Sequence, residues 1–124
     1  MRKMIVSIIT FLFALGAFNI SIAQGVPNHA QGLKELLVVV DLTDTKKQAG
    51  VYSTKAGVDT PTKLAVLLPG SPSVVRPVVE NGSMVSSKLT GNFLIRARRW
   101  LSDESIATLV VDCHSESTDE CTSS

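Results

Sequence analysis

Three places in this 124-residue sequence carry residue types able to do chemistry. They are the turn Pro69-Gly70-Ser71-Pro72, the pair Cys113 and Cys121 with His114 beside the first, and the basic cluster Arg96, Arg98 and Arg99. A Pro-Gly turn lets the backbone pass close to a bound group. The N–H of Ser71 can then be aimed at an oxyanion, while Pro72 has no N–H to add. An ordinary tight turn is the other reading of the same residues.

The cysteine pair suits a short-loop disulfide, for which chain-entropy arithmetic gives roughly 2–3 kcal/mol. A Cys113 nucleophile with His114 as its base is disfavoured, because adjacent side chains on a strand point to opposite faces. Cys113, His114 and Cys121 match no zinc-ligand spacing, so no metal site is expected. The arginines could hold an anion, but a solvated helix face suits them better. The stretch from Gly82 to Lys88 lacks a phosphate loop's second Gly and its Ser/Thr, since Ser87 and Leu89 stand there. Asn81-Gly82-Ser83 is a glycosylation sequon, meaningful only in a eukaryotic secretory pathway.

The elements that must position these residues can be read from hydropathy. Leu36 to Leu42 is a continuous, largely β-branched run, long enough for a strand and too short for a good helix. Asp44 to Gly50 is polar and turn-like, and a weaker strand follows at Val51–Thr54. Leu64 to Leu68 is apolar on both faces, which predicts burial on both sides. The breakers and serines from Pro69 to Gly91 predict a long loop. Asn92 suits a helix N-cap, and Phe93, Ala97, Trp100 and Leu101 recur at helical spacing on one face. Ala107 to Val111 is a second doubly apolar strand. Strand, helix and strand in this order predict a parallel crossover in an α/β sheet.

The first 23 residues predict a different fate. Arg2 and Lys3 precede a long apolar run, and Ser21 and Ala23 place small residues at −3 and −1 of a signal peptidase site. The expected division is therefore a signal peptide at 1–23 and a mature chain at 24–124, exported to the periplasm or the extracellular space. A permanent membrane anchor is the alternative, but no basic stop-transfer cluster follows the run. Without Arg2 and Lys3, the 12 bases of the whole chain drop to one fewer than its 11 acids. That balance offers no strong field for nucleic acid or an anionic membrane.

The runs AVLLPGSPSVVRP, GNFLIRARRWL and ATLVVDCHSESTDECTSS together resemble the N-terminal part of an α/β-hydrolase, and more narrowly bacterial exported hydrolase-like proteins. The resemblance begins at Leu64 and covers about half of the chain. It implies an α/β fold with an incomplete hydrolase-like sheet, truncated before the nucleophile strand. It also implies that Gly70 and Ser71 belong to an oxyanion hole, with Pro69 in the place of the family's His. Neither a G-x-S-x-G turn nor a histidine placed after one is present. The expectation is thus the N-terminal fragment of an exported serine hydrolase, inactive alone, whose small ester-like substrate would bind only to a full-length protein. No cofactor is implied, no catalytic residue is assigned, and the partner protein is unknown. The competing expectation is a small exported non-catalytic α/β domain, closed by one disulfide and serving a binding role.

Overall fold

The computed structural model describes residues 25–70 and 74–114. The segment expected to be a signal peptide, Ser71 and Cys121 lie outside these described residues. After a short 3₁₀ turn at Asn28–Ala30 come β1 (Leu33–Asp41), β2 (Lys47–Lys55) and β3 (Lys63–Leu67). Next come β4 (Val78–Glu80), β5 (Ser83–Ser86), α1 (Phe93–Leu101) and β6 (Ile106–His114). Four strands form one sheet in the order β1-β2-β6-β3, and β4 pairs with β5 in a second, two-stranded sheet.

This architecture corrects the expected fold class. Of the described residues 44% lie in strands and 14% in helix, and one helix serves two sheets, which is not a clear hydrolase-like α/β arrangement. The physical reason is the pairing. β1–β2 and β2–β6 are both antiparallel, so the lead-in strands form the body of the sheet. The single parallel pair is β3–β6, and β3 is left at an edge.

The predicted loop after Pro69 holds a hairpin. Asn81 and Gly82 take φ values of 50° and 77°, the pair of positive angles that a two-residue type I′ turn requires. The predicted polar turn at Asp44–Gly50 is also shorter than expected, because β2 already begins at Lys47.

Cross-strand register assigns the side chains to two faces. On one face lie the rows Glu35–Ser53–Thr108–Ala65 and Leu37–Val51–Val110–Leu67. Helix α1 and the β4–β5 hairpin cover this side. Here Val51, Leu67, Val75, Met84, Ile95 and Val110 form the core, each contributing about 1.5–3 kcal/mol when fully buried. On the other face lies the row Leu36–Tyr52–Leu109–Val66, followed by Val38, Gly50 and Val111. Gly50 is needed there, since a Cβ would sit 2.9 Å from the Val110 carbonyl oxygen and 3.1 Å from a Leu109 methyl.

Two expectations about burial fail. Leu64, Val66 and Leu68 are exposed, so β3 is not buried on both sides. Phe93 and Trp100 point outward at 70% and 68% exposure, whereas Ile95, Ala97 and Arg98 are buried. The helix is turned relative to the predicted face because Arg98 has a partner inside. Its start is as expected, with the Asn92 side-chain oxygen accepting from the N–H groups of Leu94 at 2.9 Å and Ile95 at 3.5 Å.

Candidate functional site

The strongest electrostatic feature lies beneath α1. Glu35, on β1, faces inward opposite Ser53 of β2, and one turn of α1 lowers Arg98 onto it. Both side chains are wholly buried, with Arg98 Nη2 2.8 Å from Glu35 Oε1. The same oxygen accepts from Arg98 Nε at 2.9 Å and from Ser53 Oγ at 2.8 Å. Glu35 Oε2 accepts the Met84 N–H at 2.6 Å. Arg98 also donates to the carbonyls of Ile95 and His29. His29 in turn bonds the Met84 carbonyl through Nε2 at 3.0 Å.

Burying two charges carries a large desolvation penalty, which this dense set of hydrogen bonds offsets. The network ties β1, β2, β5, α1 and the N-terminal turn together. Neither oxygen of Glu35 is left for a substrate. This reverses the expectation of a solvated Arg98, and no local sequence signal marks the pair. Arg99 instead donates to the Asn28 carbonyl at 2.6 Å and lies 5.0 Å over the Trp100 ring.

The second polar centre is Asp112, near the carboxyl end of β6. Its Oδ1 accepts the N–H groups of Val75 at 2.6 Å and Cys113 at 2.7 Å. Its Oδ2 accepts the Arg76 N–H at 3.1 Å and Arg76 Nη1 at 3.2 Å. Arg76 holds φ at 44°, a left-handed conformation unusual for a side chain of its size. Consecutive N–H groups turned toward one carboxylate make a small anion nest. The protein's own Asp112 fills it.

Gly70 is exposed beyond the end of β3, and Ser71 falls outside the described residues. The paired anion donors described at this end of the sheet are therefore those of Val75 and Arg76. Cys113 is buried, and Cys121, its candidate partner, lies outside the described residues. Among the described residues no group of three or more metal-ligating side chains occurs, and no helix is long and apolar enough to cross a membrane.

Two shallow hollows remain. The larger, about 300 Å³, is lined by Val26, Pro27, Glu80, Asn81, Ser83 and others of the same two segments. The smaller, about 130 Å³, lies on the uncovered sheet face among Lys34, Leu36, Tyr52, Thr54, Val58 and Asp59.

No known family, curated protein or solved structure matches the chain. The chain's own surface must supply the functional argument.

That surface has one outstanding region. On the face that no described element covers, Leu36, Val38, Val40, Leu64 and Val66 each keep between 40 and 55% of their area exposed. Register places Leu36 and Val66 at the two ends of one cross-strand row, with Tyr52 and Leu109 between them. The patch is thus continuous from one edge of the sheet to the other. Large continuous apolar patches on a folded surface mark interaction sites. The apolar runs that build the patch are visible in the sequence, and of these Leu64–Leu68 was expected to be buried on both sides.

Proposed function

We propose that this chain is an exported, non-catalytic binding module that takes an apolar polypeptide surface on its uncovered sheet face. The carrying observation is the row Leu36–Tyr52–Leu109–Val66, apolar from edge to edge and flanked by exposed Val38, Val40 and Leu64. The polar centres support the same reading, because Glu35, Arg98 and Asp112 spend their bonding capacity within the chain. Export rests on the 1–23 segment, and a Cys113–Cys121 disulfide would suit the oxidising compartment it implies.

Fluorescence anisotropy with a labelled extended peptide rich in Leu and Val tests the reading. Saturable binding, weakened at least tenfold by Leu36→Lys combined with Val66→Lys, is the expected result. Binding indifferent to both substitutions overturns the assignment of the face. Turnover of a 4-nitrophenyl ester above the buffer rate overturns the non-catalytic part.

A further inference from the structure

We propose that the outward side of α1 rests on the surface of an anionic phospholipid bilayer, holding the exported chain against the membrane it has crossed. The inference goes beyond the binding-module reading, takes from it only the export of the chain, and makes no use of the apolar sheet face.

The buried side chains Ile95, Ala97 and Arg98 define the inner side of the helix. At about 100° per residue, the opposite side carries Arg99, Arg96, Trp100 and Phe93 within an arc of about 120°. The helix segment FLIRARRWL contains no acid. Phe93 and Trp100 are the most exposed large hydrophobic side chains among the described residues. They stand two turns apart, about 10 Å along the axis, so both rings reach one plane at once. Arg96 lies between them, and its guanidinium has no hydrogen-bond or ion-pair partner among the described residues. Arg99 lies over the Trp100 ring, and its bond to the Asn28 carbonyl ties that pair to the fold.

A lipid surface complements all four side chains. Indole rings settle at the headgroup level of a bilayer, where the apolar body and the N–H are both satisfied. Guanidinium groups pair with phosphate oxygens in a two-pronged geometry. Rings that project from a convex helix need no matching pocket when the partner is a fluid interface.

The course of the chain selects lipid over an acidic polypeptide or a nucleic acid. The apolar run ends at Ala23, and Asn28, which Arg99 holds, follows five residues later. Five residues span at most about 18 Å. A chain whose 1–23 segment occupies the bilayer during export therefore delivers α1 at the membrane surface. The next acids in sequence are already engaged, Asp103 by the N–H groups of Ser105 and Ile106 and Glu104 by Lys55. Net charge conceals the patch, because it averages these arginines with acids placed elsewhere. Helix and apolar sheet face lie on opposite sides of the sheet, so docking through α1 turns that face away from the lipid. A helix this short buries little area, which makes the contact reversible and sensitive to salt.

The chain has one tryptophan, so Trp100 reports on its own surroundings. Protein expressed from its full reading frame and recovered from the exported fraction is titrated with phospholipid vesicles. Trp100 emission should shift to the blue on phosphatidylglycerol vesicles, barely move on phosphatidylcholine alone, and return in about 0.5 M NaCl. Lipids brominated close to the headgroup should quench it. Arg96→Glu should weaken binding about fivefold or more, while Arg96→Lys retains it. Phe93→Ser should weaken it as well, and none of the three changes should lower Tm, since both side chains are exposed. The absence of a shift on phosphatidylglycerol overturns the inference, and so does equal binding to neutral vesicles. Vesicle binding indifferent to Arg96→Glu and Phe93→Ser places the lipid on another surface and also overturns it. A shift produced by polyglutamate or single-stranded DNA but not by vesicles assigns the helix to a macromolecule instead. Loss of vesicle binding with the Leu- and Val-rich peptide still bound sinks this inference alone; the converse sinks only the binding-module reading.

Discussion

Both faces of the main sheet carry apolar rows, but only one is covered by described elements, and that one also holds the buried charges. Under α1 the protein buries a carboxylate, a guanidinium and the hydroxyls of Ser53, Ser102 and Thr108. On the opposite side it leaves Leu36, Val38, Val40, Leu64 and Val66 open to water. Glu35 and Leu36 are neighbours in sequence, and the period of two sends the charge inward and the leucine outward. The difference teaches that burial here follows partners rather than polarity. Glu35 is inside because four donors meet it there, while the apolar face remains outside for want of any described layer above it.

The largest expected effect comes from breaking the inner pair. Arg98→Met leaves Glu35 buried without its cation and should cost about 3–5 kcal/mol, a large part of the stability of a domain this size. Urea denaturation followed by circular dichroism measures it. Adding Glu35→Leu should recover much of the loss, since a well-packed apolar pair can replace a buried ion pair. A single-variant cost below about 1 kcal/mol would mean that water reaches the pair and that the contrast between the faces is shallower than described.

That pair also marks where sequence reading stops. The strand segments were legible because β-branched runs such as LLVVV, VYST and ATLVV are local signals. The Asn92 cap was legible for the same reason, as its acceptor serves N–H groups two and three residues away. Asn81-Gly82 is an equally local hairpin signal, and reading it only as a glycosylation sequon hid β4 and β5 within a supposed loop. Glu35 and Arg98 stand 63 residues apart, and neither has a neighbour in sequence that announces the other. Without that pair the helix looks as though Phe93 and Trp100 face the core. At the candidate site, sequence analysis pointed to the carboxyl end of β3. It did not anticipate that Asp112 would fill the anion nest there, or that the apolar strands would leave a face open.

A smaller effect sharpens the comparison residue by residue. Ile95 is wholly buried under the helix, and Ile95→Ala should destabilise by about 2–5 kcal/mol. Val66 is half exposed on the other face, and Val66→Thr should stay within about 0.5 kcal/mol. The ratio of the two values reads the asymmetry of the sheet directly. Equal costs would show that the face is covered.

The smallest effect is acid sensitivity at the turn that follows α1. Asp103, in the turn after α1, is held below the usual carboxylate range chiefly by the Ser105 N–H at 2.7 Å and then by the Ile106 N–H at 2.8 Å. Glu104 is lowered chiefly by its bond to the Lys55 ammonium. Both groups titrate lower in the folded chain than in the unfolded one. Their stabilisation is therefore present above the ordinary carboxylate range, near pH 4, and is lost as the pH falls through the folded values. Thermal unfolding between pH 6 and pH 2 should show Tm falling on the acid limb, with a shallower fall for Asp103→Asn. Salt separates the two contributions. The exposed Glu104–Lys55 attraction is screened by about 0.5 M NaCl, whereas the Asp103 acceptor geometry depends on backbone donors and persists. The uncovered face carries no carboxylate in its central row, so apolar-peptide binding measured at constant folded fraction should be unchanged over the same range. A binding curve that follows the acid limb would tie the two faces together and remove the division between them.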